Sequence, residues 1–102
     1  MRAKYTASSG NVFEDLGLSS PGERKTKAEI AALINSLISD KSQTEAAELL
    51  GITQPQVSDL SRGKLKHFSV ERLFGLLLNL GHDVDIVIRK ADQDAKVEVI
   101  AA

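Results

Sequence analysis

The sequence predicts an all-α domain of four or five helices, closed by a short C-terminal β-strand that lies at a dimer interface. Three observations predict it. Apolar residues recur at helical spacing through residues 26–81. Two short helical patterns inside residues 43–63 are joined by only a few residues around Gly51. After Gly81 the apolar period drops to two.

A chain of 102 residues has room for one domain. Hydrophobic residues make up 42% and charged residues 26%, ordinary globular usage that argues against wholesale disorder. Thirteen Lys and Arg against 14 Asp and Glu give a net charge of −1, which excludes a polycation that coats nucleic acid or anionic membrane by bulk charge. Any nucleic-acid contact must come from a local patch. Cysteine is absent, which removes disulfides, thiol catalysis and thiolate zinc sites. Arg2 and Lys4 give a basic start, but Tyr5 to Asn11 is polar, unlike a signal peptide. The densest apolar run, Leu76 to Leu78, is far too short to span a bilayer. The expectation is a cytoplasmic protein with no membrane partner.

Residues 1–25 form an N-terminal segment with one apolar island at Val12, Phe13, Leu16 and Leu18. Asn11 can cap a single helical turn there and Gly17 can end it. The Ser19-Ser20-Pro21-Gly22 cluster reads as a linker. The island is either part of a frayed terminus or buried, on this fold or on a partner.

Residues 26–81 carry the strong signal. Ile30, Leu33, Ile34, Leu37 and Ile38 make one helical stripe, and Thr26 with Glu29 has capping-box spacing for its start. Ser42 with Glu45 repeats that spacing for a second helix, with Ala46, Ala47, Leu49 and Leu50 on its buried side and Gly51 at its end. Thr53 is placed to cap a third helix, Pro55 falls in its first turn, and Ile52 and Val57 are spaced as a hydrophobic staple. Gly63 closes it. Ser69 caps a fourth, whose stripe of Val70, Leu73, Phe74, Leu77 and Leu80 stops at Gly81. Leu76 and Leu78 lie off that stripe, which points to burial on a second side at a subunit interface.

Residues 82–102 form the dimerisation strand and tail. Val84, Ile86 and Ile88 alternate with Asp85, Val87 and Arg89, and Val97 and Val99 alternate more weakly in an acidic tail. One strand is not stable alone, because its backbone groups need partners. The tail, the N-terminal segment and a second chain are the candidates; the second chain is favoured.

The connection between the second and third helices is too tight for an antiparallel hairpin and fits the sharp crossing of a helix-turn-helix. Val57 and Leu60 face inward from the third helix. Thr53, Gln54, Gln56, Ser58, Asp59 and Arg62 remain outside, and hydroxyls, amides and a guanidinium are groups that bond base edges and phosphates. Arg62, Lys64 and Lys66 follow with no intervening acid.

QTEAAELLGITQPQVSDLSRGK resembles the helix-turn-helix of the phage-repressor-like regulators, the Xre (Cro and repressor) family, through Gln43, Ala47, Gly51, Thr53-Gln54, Val57, Leu60 and Gly63-Lys64. With flanking helices the resemblance covers about residues 27–81. It implies a lambda-repressor-like bundle whose third helix enters the major groove. Gln54 and Gln56 would read bases, since an amide pairs bidentately with adenine. Gln43, Thr53 and Ser58 would bond phosphates. Arg62, Lys64 and Lys66 would lie along the backbone and supply affinity by counterion release. Asp59 departs from the family pattern; it would accept from a cytosine amino group or repel the backbone. Pro55 also replaces a residue able to make a side-chain hydrogen bond. So few cations per chain imply a homodimer on a palindrome with half-sites roughly 34 Å apart.

The wider string, with NVFEDLGL upstream and GHDVDIVIR downstream, resembles short antitoxins of the HigA type. That resemblance implies a repressor of its own operon that neutralises a small RelE/HigB-like ribonuclease toxin, with Val12, Phe13, Leu16 and Leu18 as the toxin-binding anchors. Leu76, Leu78, Val84, Ile86 and Ile88 are the expected dimerisation residues. The rival readings are a stand-alone or phage-type repressor without a toxin partner, and an interaction domain that has lost DNA binding.

Enzymatic readings find no support. His82 beside Asp83 follows a helix end, where the helix dipole favours a capping imidazolium. No HExxH or GxSxG spacing and no Gly-rich phosphate loop occurs. Neither a metal nor a cofactor is expected.

Overall fold

A computed structural model describes residues 20–101 of the chain. Four helices follow one another: α1 (Ser20–Leu37), α2 (Gln43–Leu50), α3 (Gln54–Ser61) and α4 (Val70–Asn79). The expectations for Asn11–Gly17 and for Val12, Phe13, Leu16 and Leu18 fall outside the described residues.

The first helix starts earlier than its capping-box spacing predicts. It begins at Ser20, so Thr26 is mid-helix and buried, and residues 20–22 of the expected linker lie in its first turn. The physical reason is positional. Proline in a first turn forfeits no helical hydrogen bond, because the first N–H groups have no acceptor there. Glu23 favours the helix start and lies 3.5 Å from Lys27 one turn on.

The stripes close on one core. Ile30, Ile34, Leu50, Leu60 and Leu73, one or two from each helix, are the largest fully buried side chains. Ala46 and Ala47 are buried where α2 meets its neighbours, and their small size admits the close approach of α3. Leu49, expected on that buried side, is instead 45% exposed. Ala46, Ala47 and Leu50 already form the inward face, and Leu49 projects past its edge.

Leu76 is also a correction. It is 3% exposed within the single chain, so it belongs to the core and offers no surface to a second subunit. Leu78, from the same off-stripe pair, is 56% exposed. A helix held against α1 on one side and α2 on another explains Leu76 without a partner chain.

The expected C-terminal strand does not form. Among the described residues, 82–101 contain neither helix nor strand. Val84 and Val99 are partly buried and pack against the helical core, but Ile88 is 56% exposed. A strand exists only where a ladder satisfies its backbone, and the returning segment meets the outgoing one through side chains, with Arg89 3.8 Å from Glu98. Beyond that contact, Val97 and Val99 line an open groove with Glu29 and Leu33 of α1.

Candidate nucleic-acid interface

The interface is built by two capped helix starts and the turn between them. Ser42 caps α2 in a reciprocal box: its hydroxyl accepts from the Glu45 N–H at 3.1 Å, and the Glu45 carboxylate accepts from the Ser42 N–H at 3.4 Å. Thr53 caps α3 in the same way, its hydroxyl accepting from the Gln56 N–H at 3.3 Å while Gln56 Oε1 accepts from the Thr53 N–H at 2.9 Å. Between them Gly51 takes φ +72°, the left-handed conformation that lets α2 stop and the chain turn. The Gly51 and Ile52 N–H groups both donate to the Ala47 carbonyl, at 2.9 and 3.1 Å.

Two asparagines outside the motif fix its helix ends. Asn79 of α4 donates from Nδ2 to the Leu50 carbonyl at 2.8 Å. Asn35 of α1 donates from Nδ2 to the Leu60 carbonyl at 3.0 Å. Each end of the pair α2 and α3 is thus tied to a flanking helix. Neither residue is marked by any local pattern, because partners 29 and 25 positions away are invisible to spacing arguments.

The structure separates the expected base-reading residues into two kinds. Gln54 is exposed at the start of α3, with Nε2 donating to Thr44 Oγ1 at 3.2 Å. Its Oε1 stays open to a ligand, and the bond to α2 restricts its rotamers in advance. Gln56 is half-buried and its Oε1 is committed to the cap, which leaves only its amide donors for a partner. Thr44 is a residue that sequence reasoning missed. Its signal was its place beside Gln43 at the start of α2, but only the crossing of the two helices shows that it meets Gln54.

The remaining predicted contacts lie at the two helix starts, within α3 or past its end. Gln43, Thr53, Lys64 and Lys66 are exposed, whereas Ser58 is half-buried. Arg62 folds back along α3: Nε donates to the Ser58 carbonyl at 3.3 Å and Nη2 to Asp59 Oδ1 at 3.1 Å. Gly63, at φ +73°, ends the helix, and the Lys64 N–H donates to the Asp59 carbonyl at 2.8 Å. Lys64 and Lys66 therefore project from a short, fixed exit, with Arg72 stacked over the Phe68 ring at 5.2 Å just beyond. Asp59 is the one carboxylate within residues 53–70. No group of three or more His, Cys, Asp or Glu among the described residues is arranged to hold a metal. No helix among them is long and apolar enough to cross a membrane.

Two short capped helices crossing at a left-handed glycine, the second carrying exposed amides, define a helix-turn-helix, and the chain belongs to the helix-turn-helix domain family, which matches residues 12–89. It is similar to a solved structure named an XRE family transcriptional regulator, with 46% sequence identity and a TM-score of 0.80. The likeness spans 82% of this chain and 100% of that one, which places this chain in the XRE type of the family. No curated protein matches the chain.

Proposed function

We propose that this protein is a DNA-binding transcriptional repressor that acts as a homodimer on a palindromic operator. The observation that carries the reading is the exposed start of α3. It presents Thr53 and Gln54, and its exit presents Arg62, Lys64 and Lys66 on the same motif. An amide reads adenine in the major groove, and cations past the helix neutralise phosphates. Gln43 and Thr53 bond phosphates at the two helix starts, where the helix dipole also favours an anion. Repression follows by occlusion of the promoter.

The operator is most simply the protein's own upstream DNA. The string around Val12, Phe13, Leu16 and Leu18, with that around Val84, Ile86 and Ile88, supports an antitoxin role in which the N-terminal segment binds a RelE/HigB-like ribonuclease. The rival is a stand-alone or phage-type repressor.

Titration of the full chain onto its upstream DNA across a salt series tests the repressor reading. Saturable binding of two chains to one palindrome, weakening steeply with salt, is the expected result. Equal affinity for every sequence, or none at low salt, overturns it. A small basic reading frame beside this gene, co-expressed with the full chain, tests the antitoxin role. Growth arrest relieved by this chain, and not by a Phe13→Asp, Leu16→Asp variant that still binds operator, is expected. A neighbour that is harmless alone returns the stand-alone repressor.

A further inference from the structure

We propose that Asn35 of α1 is a positioning residue for the DNA interface: it aims the end of α3 and the exit that follows, and it does so without adding to the stability of the fold. The inference deepens the DNA-binding reading of the same site and rests on it.

The hydrogen bonds of the exit single this residue out. The last carbonyls of α3 are already engaged by the chain that leaves it. The Ser58 carbonyl accepts from the Arg62 N–H at 3.0 Å, the Asp59 carbonyl from the Lys64 N–H at 2.8 Å, and the Leu60 carbonyl from the Gly63 N–H at 3.2 Å. Asn35 Nδ2 adds a second bond to the Leu60 carbonyl, at 3.0 Å, from another helix. The backbone does not need that bond, because the carbonyl has a partner without it.

The other half of the amide is a liability. Asn35 Oδ1 is buried and has no hydrogen-bond partner. An unbonded oxygen taken out of water destabilises by at least as much as one bond to an already engaged carbonyl stabilises. Leucine has nearly the same shape and carries no such penalty. It also suits the surroundings, since Ile34 and Ile38 of the same helix are buried. Asn35 therefore contributes direction and not stability.

Direction matters at this point of the fold. Val57 and Leu60 anchor α3 in the core, but apolar packing is non-directional and leaves a last turn some freedom to tilt. A hydrogen bond narrows that freedom, because it weakens steeply with angle. Asn35 borders a small cleft with Ser42 and Gln43 at the start of α2 and Val57 and Ser61 of α3, where the three helices converge behind the interface. Lys64 and Lys66 leave the chain just past Leu60 and are exposed. A tilt of that turn moves their charges relative to Gln54 at the other end of the helix.

The two parts of DNA affinity respond differently to such a tilt. Reading a base edge needs the side chain and the phosphate contacts in one fixed relation, whereas attraction to any DNA follows the number of cations. Loss of the Asn35 bond lowers the first and spares the second.

Asn35→Leu in the full chain tests the role. Its melting temperature equals that of the unmodified chain or exceeds it. Amide exchange speeds up at Gly63 and Lys64 and not at Leu77 in the core. Affinity for the upstream DNA falls roughly three- to tenfold, the worth of one hydrogen bond, and affinity for unrelated DNA stays within about twofold. Asn35→Ala adds no volume and gives the same loss of selectivity, which separates the missing bond from a clash of the larger side chain.

A melting temperature of Asn35→Leu lower by several degrees makes the amide an ordinary structural group and overturns the proposal. So does an equal fall in affinity on both DNAs, or a loss of selectivity in Asn35→Leu that Asn35→Ala does not share. An unmodified chain that prefers no sequence overturns the repressor reading and this role with it. Selectivity that is present in the unmodified chain and survives Asn35→Leu overturns the role of Asn35 alone.

Discussion

The helix-turn-helix and the C-terminal segment differ in where their backbone finds partners. Over residues 42–64 both helix starts are capped by their own side chains, both ends are held by asparagines of flanking helices, and the turn closes on the Ala47 carbonyl. Over residues 82–101 the apolar pattern is as regular, but no helix or strand forms among the described residues and four large apolar side chains stay exposed. A helix satisfies its hydrogen bonds within itself and needs a neighbour only for its apolar face. A strand needs a neighbour for both. The same quality of sequence pattern therefore yields structure in one region and an unpaired surface in the other.

Core truncation breaks this comparison most strongly. Leu60→Ala or Leu73→Ala, at sites with 0% exposure, should cost about 2–5 kcal/mol in chemical denaturation. Ile100→Ala, at 73% exposure, should stay within about 0.5 kcal/mol. Equal losses at both ends would mean that the tail is as well packed as the bundle.

Gly51→Ala should cost about 1–2 kcal/mol by thermal unfolding. Its φ of +72° disfavours any Cβ, although the nearest neighbour, Asn79 Nδ2 at 3.5 Å, leaves room for one. A neutral result would show that strain at the turn does not set the crossing.

Thr53→Ala, which removes the acceptor for the Gln56 N–H, should cost about 1 kcal/mol. It should also weaken operator binding more than Ser42→Ala does, because it frees the start of α3 that carries Gln54. Comparable losses of binding would remove α3 from its special place.

The smallest effect on stability, and the sharpest on recognition, is expected at Asp59. Asp59→Asn breaks an exposed ion pair of 3.1 Å and should leave stability within about 0.5 kcal/mol. It frees Arg62 Nη2 from its ion pair, leaving only the Nε bond to the Ser58 carbonyl, and removes a carboxylate from the DNA-facing motif. Affinity for unrelated DNA should rise, and the dependence of log affinity on log salt should steepen by up to about one unit. Unchanged binding to unrelated DNA would show that Asp59 does not restrain Arg62.

Much of the bundle was legible because its signals are local. Ser42, Thr53 and Ser69 each cap the helix assigned to them, and Gly51, Gly63 and Gly81 all take positive φ where a helix ends. Ile30, Ile34, Val57, Leu60, Leu73 and Leu77 are buried as their stripes require. Thr26 misled because its capping-box spacing recurs inside a helix that had already started at Ser20. Within the candidate site, residue types were legible and their availability was not. Gln54 and Gln56 look alike in sequence, yet one bonds Thr44 across the motif and the other closes a cap.

The sequence by itself determined the four helices, the helix-turn-helix and the family, because capping, helical periodicity and left-handed glycines act over a few residues. Only the tertiary structure decided that Leu76 is core and Leu78 surface, that Asn35 and Asn79 hold the two helix ends, and that Thr44 meets Gln54. It also decided that Val84 to Ile88 form no strand in one chain. These outcomes depend on which distant group lies alongside, and spacing along a chain does not encode what faces it in space.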